Sequence, residues 1–425
     1  MVKYLNKPVI GSLIGNIMEF YDFVIYGYLS VYLSSNFFPS DSKIISLLVT
    51  FGVFAGGYIV RPLGALLFGY IGDVRGRKPA LLYSIILMSF STLFMGIIPS
   101  HKQIGILAPV TLTGLRLLQG LAVSGEQGGI VVYISEYFKM QKIGFISSLI
   151  FSSILLGVLL GCLAVVVCQS ILSEQIMYSW GWRVPFCSSS VLGLISLKLR
   201  LDSAESPLFR CKEKVSIYQP AQELITNNLS SCIKMFLLSI TFSVVMSFHN
   251  VYLPVFYSSL LSLGPNKAML IISSGILLIS VLSPMIGCCS EKIGYTQTSY
   301  TGCLMLLVLG FPLFCCLQQG SLNSIILAEA AFAIIITLIS APMYAVFVQS
   351  FPKTSRYTGV SIVYNLGMSI FASLTPLIAI GLSKAGNLKY LTGVFLSLSA
   401  LGGIISFKGI FKKNKLLTTY VIQEN

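Results

Sequence analysis

The stretch Gly69-Tyr70-Ile71-Gly72-Asp73-Val74-Arg75-Gly76-Arg77-Lys78-Pro79 joins two apolar runs, at about Ile44 to Ile71 and Ala80 to Ile98, through one acid, three bases and a turn glycine. The same skeleton, Gly287-x-x-x-Glu291-x-x-Gly294-Tyr295, follows another apolar run 218 positions later, with the bases of Arg75 and Arg77 replaced. A spacing repeated at that distance divides a chain of 425 residues near its middle, which is the mark of two related halves.

Outward from this loop the chain is 55% hydrophobic and 10% charged, against roughly 45–50% and 25% in an ordinary soluble domain. A bilayer crossing needs about 20 apolar residues. Six such runs lie at about Val9 to Tyr32, Ile44 to Ile71, Ala80 to Ile98, Ile106 to Tyr133, Gly144 to Cys168 and Arg183 to Leu199. A polar stretch from Arg200 to Ser231 follows. Six more runs lie at about Cys232 to Tyr257, Lys267 to Cys289, Ser299 to Leu317, Leu322 to Val348, Thr358 to Leu382 and Tyr390 to Phe407. The expected fold is an all-α integral membrane protein of twelve transmembrane helices in two six-helix bundles with inverted repeats. Its domains are residues 1–200, a cytoplasmic central loop at 201–231, and 232–425 with a short cytoplasmic tail.

The formal net charge is +14, and the placement of the 28 Lys and Arg decides what that means. Twenty fall in segments read as cytoplasmic, 6 in the opposite loops, and Arg61 and Arg116 inside spans. This bias orients the chain with both termini in the cytoplasm, and it excludes a nucleic-acid partner as the reason for the charge. Lys408, Lys412, Lys413 and Lys415 are candidates for contact with anionic membrane lipid. The 10 cysteines form no C-x-x-C pair and read as small packing residues, so no metal and no cofactor is expected. Lys3 and Lys7 before an apolar run imitate a secretory signal, but Glu19 and Asp22 interrupt the run and it reads as the first span.

Small residues recur at helix-packing spacing in Gly52 with Gly56, Gly125 with Gly129, and Gly157 with Gly161. Charges within spans are expensive and need a partner or a wet cavity. Asn16, Glu19, Asp22 and Tyr26 follow spacings of three and four and form one stripe, which is expected to face a central cavity. The alternative is that Glu19 or Asp22 pairs with Arg61 or Arg116 to hold helices together. Arg116 and Glu126 lie ten residues apart, about 15 Å along one helix. Burial opposes the charged form of a carboxylate and a nearby guanidinium favours it, so a moving arginine can load or unload a proton. Glu329 is near a span end and is expected to reach for the interface. His249, followed by Asn250, is read as hydrogen-bonded to a neighbouring helix, with a proton relay as the alternative.

The loop from Gly69 to Pro79 resembles the signature loop between the second and third helices of the major facilitator superfamily. Further strings are similar to its metabolite:proton symporter family, which includes proline/betaine, 2-oxoglutarate, citrate and shikimate carriers. They are Gly15-Asn16 with Glu19-Phe20-Tyr21-Asp22-Phe23, Tyr26-Gly27, Phe37-Phe38-Pro39, Arg61-Pro62-Leu63-Gly64, and Arg116 through Gly129. Trp180 to Phe186, Glu205 to Phe209, and Phe351-Pro352 through Arg356-Tyr357 to Asn365 complete the set. Ser206 stands where the family usually has threonine. The resemblance implies proton-driven uptake by alternating access in a bacterial inner membrane.

In the loop itself, Asp73 can approach a helix N-terminus, whose dipole favours an anion, while Arg75, Arg77 and Lys78 stay on the cytoplasmic face and Gly76 allows the turn. With Glu136 and Arg356 these residues are expected to latch the inner gate. Unlike the osmosensing proline/betaine carriers, the sequence ends about eighteen residues after Phe407, so no osmotic-sensor role is expected.

Two classes of ligand fit the interior. A zwitterion such as proline or betaine offers a cation for tyrosine faces and a carboxylate for the fork of Arg116; 2-oxoglutarate or another organic acid offers carboxylates alone. Asn16, Tyr21, Tyr26, Arg116, Gln119 and Asn365 are the substrate candidates, and Asp22, Glu19, Glu126 and Arg116 the proton-coupling set. The protein is expected to act as a monomer on a small molecule and protons. An embedded enzyme would need a nucleophile, base or metal cluster that the sequence lacks, and no P-loop is present. A channel would need polar residues repeated among spans, whereas these concentrate in the first half.

Overall fold

Apolar runs of this length cross a bilayer as helices, because each backbone N–H and C=O must find its partner within the segment. The computed structural model describes residues 7–137, 142–209, 218–384 and 390–407, and no strand occurs among the described residues. The tail lysines Lys408, Lys412, Lys413 and Lys415 lie outside them.

Among the described residues, eleven helices are long and apolar enough to span. In the first half they are α1 (Pro8–Tyr28), α2 (Ile45–Arg75), α3 (Arg77–Ile97), α4 (Leu107–Glu136), α5 (Ile143–Ile171) and α6 (Arg183–Leu201). In the second they are α7 (Leu229–Ser258), α8 (Lys267–Ile293), α9 (Tyr295–Gln318), α10 (Leu322–Ser350) and α11 (Arg356–Ser383). The twelfth, α12 (Leu391–Phe407), has 17 residues, about 26 Å of axis at the usual rise and the short end of spanning length. Large apolar side chains are turned outward, Ile59 being 73% and Leu63 64% exposed. Lipid tails cover such a surface at no hydrophobic cost.

The helices pack as two compact units. The first comprises Met1–Phe138, Ser153–Glu223 and Lys353–Asn365; the second comprises Lys139–Ser152, Leu224–Pro352 and Leu366–Asn425. Each unit thus holds a piece of the other half's chain, the start of α11 in the first and the start of α5 in the second. Within the first unit α1 packs on α6, α3 on both α4 and α6, and α2 on α4. Within the second, α7 packs on α12, α9 on α10 and α12, and α8 on α10. These are the same pairings advanced by six helices, so the repeat seen in the loops extends to the packing.

Both loop glycines have a backbone that side-chain-bearing residues rarely adopt, with φ +129° at Gly76 and +107° at Gly294. Each ends one helix and begins the next in a single residue, which is why the spacing survives in the second copy although its bases do not. Gly157 and Gly161 on α5 let α1 approach closely at Ile17 and Val24, and Gly125 sits against Phe68. Gly52 is a correction: a Cβ there would meet nothing, so it does not serve helix packing.

Candidate functional site

The first unit carries two polar clusters inside an apolar shell. The one at the loop is built on the end of α2, where Ile71–Arg75 forms a π-helical turn. This turn aims the buried Asp73 at the first turn of α11, whose N–H groups have no partner within their own helix. Asp73 Oδ1 accepts from the Tyr357 N–H at 3.2 Å and Oδ2 from the Thr358 N–H at 2.9 Å. Arg77 lies beside it, with Nη1 3.2 Å from Asp73 Oδ1 and Nη2 donating to the Lys353 carbonyl at 3.1 Å. Arg77 also donates to the Gly72 carbonyl and pairs through Nε with Glu136 Oε2 at 3.4 Å. Arg356 Nη1 stands 3.6 Å from Glu136 Oε1, and Ser206 donates to Glu136.

Arg77, expected on the cytoplasmic face, is buried. Two carbonyls, of Gly72 and Lys353, and two carboxylates, of Asp73 and Glu136, replace the water it has lost. Arg75, by contrast, is exposed. Lys78 donates through Nζ to the Leu201 carbonyl at 2.8 Å. Glu205, quoted above only as part of a motif, caps α3: it accepts from the N–H groups of Arg77 at 3.0 Å and Lys78 at 3.1 Å. Gly76 sits against that carboxylate.

The second cluster lies along α1, α3, α4 and α6. Asn16, Glu19, Asp22 and Tyr26 are all buried on one face of α1. Asn16 donates to the Ser153 hydroxyl at 2.7 Å, and Gln127 donates to Asn16 at 2.8 Å and to Glu19 at 3.2 Å. Tyr21 reaches the Pro185 carbonyl at 3.1 Å and the Ser188 hydroxyl at 2.9 Å, while Tyr26 donates to the Thr50 carbonyl at 3.3 Å. Gln119 donates to the Thr92 hydroxyl at 2.9 Å and accepts from Arg116. Asn365, at the end of the α11 segment that belongs to this unit, donates to the Ser124 carbonyl at 3.2 Å.

Glu126 does not answer to Arg116. Its carboxylate forms a buried, two-pronged ion pair with Arg200, with Nη1 2.7 Å from Oε2, and accepts from Ser84 at 2.8 Å. Arg200 is thus a correction to its reading as the start of the polar stretch: it lies in α6 and is 3% exposed. Gly15 makes the room, since a Cβ there would come within 2.8 Å of Arg200 Cζ. The signal was a stripe on α6, Ser189, Gly193, Ser196 and Arg200, spaced by four, three and four and buried throughout.

Neither Glu19 nor Asp22 pairs with Arg61 or Arg116; among the described residues no ion pair involves any of the four. The arginines lie on aromatic faces. Arg116 Cζ is 4.2 Å from the centre of Phe23, 4.5 Å from Phe54 and 4.8 Å from Tyr26. Arg61 Cζ is 4.5 Å from Phe23 and 4.2 Å from Tyr58. Each such contact is worth about 0.5–2 kcal/mol, well short of the several kcal/mol that dehydrating an ion costs. Asp22 has the hydroxyls of Ser189 and Thr92 for neighbours. Two cations and two acids are thus buried in the first unit without an ion pair among them.

Glu329 is a further correction. It does not reach for the interface but is buried in the second unit, where it meets His249 and Tyr257.

With eleven spanning helices, a twelfth shorter one and charged groups packed inside among the described residues, this is a multi-pass membrane protein. Residues 12–376 match the model of the Major Facilitator Superfamily, and the chain belongs to that family. It is 30% identical over 420 residues to the glycine betaine/proline/ectoine/pipecolic acid transporter OusA of Dickeya dadantii, covering 96% of this chain and 83% of that one. To the proline/betaine transporter of Salmonella typhimurium it is 29% identical over 417 residues, 95% of this chain and 82% of the other. Among solved structures, the proton:xylose symporter XylE superposes with a TM-score of 0.78 at 16% identity, covering 97% of this chain and 96% of that one. The relatives are transporters and not enzymes.

Proposed function

We propose that this protein is a proton-coupled symporter that imports a small zwitterionic metabolite of the proline or betaine kind by alternating access. The observation that carries this reading is the uncombined state of the buried charges. A guanidinium without a carboxylate partner is a ready site for a substrate carboxylate, and the rings of Tyr26, Phe23 and Phe54 around Arg116 suit an organic cation. Asn16, Tyr21, Gln119 and Asn365 supply polar contacts in the same unit. Glu19 and Asp22, outside any ion pair, are free to take and release a proton. Glu126, bound to Arg200, is the third acid of the proton-coupling set.

The names of the relatives favour proline and betaine over other substrates. The cluster of Asp73, Arg77, Glu136 and Arg356 acts as a latch, with Gly76 as its turn and Arg75 and Lys78 flanking it. The protein works as a monomer in the bacterial inner membrane, with both termini cytoplasmic, as the charge bias demands. Arg61 supports a second reading, an organic-acid carrier, because a second uncombined guanidinium on Phe23 suits a second carboxylate.

Counterflow in proteoliposomes tests both. Vesicles loaded with proline, glycine betaine or 2-oxoglutarate are offered the same labelled solute outside. Exchange with proline or betaine supports the first reading, exchange with 2-oxoglutarate alone supports the second, and exchange with none contradicts both.

A further inference from the structure

A separate polar cluster lies in the second unit. His249 and Asn250 stand in a π-helical turn of α7, Phe248–Tyr252, and Tyr257 in the next, Phe256–Leu260. Glu329 stands opposite on α10. Its Oε2 lies 3.0 Å from His249 Nε2, its Oε1 accepts from the Tyr257 hydroxyl at 2.5 Å, and His249 Nδ1 lies 2.8 Å from Asn250 Oδ1. On α8, Gly275 leaves the space for the pair: a Cβ there would stand 2.8 Å from Glu329 Oε2 and 3.1 Å from His249 Nε2.

The hydrogens of this cluster can be counted. An amide oxygen only accepts, so Nδ1 directs its hydrogen at Asn250. At 3.0 Å, Nε2 and Oε2 would oppose two lone pairs unless a second hydrogen lay between them. Donation from Tyr257 stabilises the carboxylate, so the shared proton sits on Nε2 as part of an imidazolium, and the pair is neutral as a whole. Loss of that proton to water leaves a neutral imidazole facing a carboxylate, a net charge of minus one. The contact between α7 and α10 then becomes repulsive. The other titratable groups facing the pair are Tyr257 and Tyr252 of α7, while α8 presents the uncharged Gly275. π-Helical turns carry an extra residue in the hydrogen-bond ladder and occur frequently at functional sites, and α7 has two of them flanking this contact.

We infer that His249 and Glu329 form a second proton-binding site, in the second unit, whose loading holds α7 to α10 and whose emptying is a step of the transport cycle. Its part in transport rests on the symport reading above; its proton binding does not.

The chain has two histidines, so the substitution His101→Gln leaves one imidazole to observe. Isotope-edited NMR of the detergent-solubilised protein then reads Nε2 protonation between about pH 5 and pH 8, where an imidazole changes charge. The expected result is a titration whose midpoint moves by about one pH unit, tenfold in proton concentration, in Glu329→Gln. The pH profile of proline counterflow is expected to move with it. An imidazole in one charge state throughout, or a midpoint indifferent to Glu329→Gln, overturns the site. A titrating imidazole with unchanged counterflow profiles overturns its role in transport. Where Glu329→Gln does not fold, Tyr257→Phe takes its place in the NMR measurement and His249→Gln in the counterflow measurement. Absence of counterflow with proline, glycine betaine and 2-oxoglutarate alike in the unaltered protein contradicts the symport reading and leaves the site to the NMR result.

Discussion

Asp73 at the end of α2 accepts a 2.9 Å hydrogen bond from the backbone N–H of Thr358 in the first turn of α11, 285 positions further along the chain. One carboxylate thus ties a segment of the second half to the first unit. It does so by the means any helix N-terminus offers an anion, two otherwise orphaned N–H groups and the positive end of the dipole. Arg77 then balances the charge.

Asp73→Asn keeps an acceptor but removes the charge, leaving Arg77 with only Glu136 as a buried counter-ion. Breaking such a pair costs about 3–5 kcal/mol. The expected outcome is a lower melting temperature in detergent and at least about a tenfold loss of counterflow rate. Asp73→Glu, which keeps the charge on a longer arm, is expected to recover part of both. Equal melting temperatures for the Asn variant and the unaltered protein would show that the latch is not held by this charge.

The pair of Glu126 and Arg200 predicts a strong non-additivity. Arg200→Met strands a buried carboxylate and Glu126→Gln strands a buried guanidinium, each at a cost of about 3–5 kcal/mol. The double variant strands neither and is expected to be more stable than either single one, which requires a coupling of at least about 3 kcal/mol, the cost of one single substitution. Thermal melts of the four proteins close the cycle; simple addition would mean the pair does not act as a unit.

Arg116→Lys retains the positive charge but loses the planar fork and much of the stacking on Phe23, Phe54 and Tyr26. Proline affinity is expected to fall about tenfold, equivalent to about 1.4 kcal/mol, whereas an ester of proline, which lacks the carboxylate, should bind both proteins alike. Thermal-shift titration measures this, since a ligand that binds only the native state raises the melting point. An unchanged proline affinity would put the carboxylate elsewhere.

The spans, the midpoint repeat and the superfamily were legible because they rest on local spacing: apolar runs of spanning length and an acid, a glycine and a base at fixed intervals after them. The ion pairs were not, because partners in a helical bundle are chosen by which faces meet. Glu126 had Arg116 ten residues away on its own helix, and the partner it uses, Arg200, lies 74 positions on, at the end of a span where it reads as the beginning of a loop. Glu329 looked peripheral by its distance from a helix end, yet two π-helical turns in α7 bring His249 and Tyr257 to it. Arg61 and Arg116 invited a carboxylate partner each; aromatic side chains one to two helical turns along α1 and on α2 occupy those places instead.

The central claim is that an acid outside any ion pair in the first unit takes up and releases the proton that drives uptake, and Asp22→Asn tests it most directly. Proteoliposomes containing this variant, given an imposed pH gradient and labelled proline, are expected to exchange internal for external solute yet never to concentrate it. Accumulation equal to that of the unaltered protein under the same gradient would contradict the account.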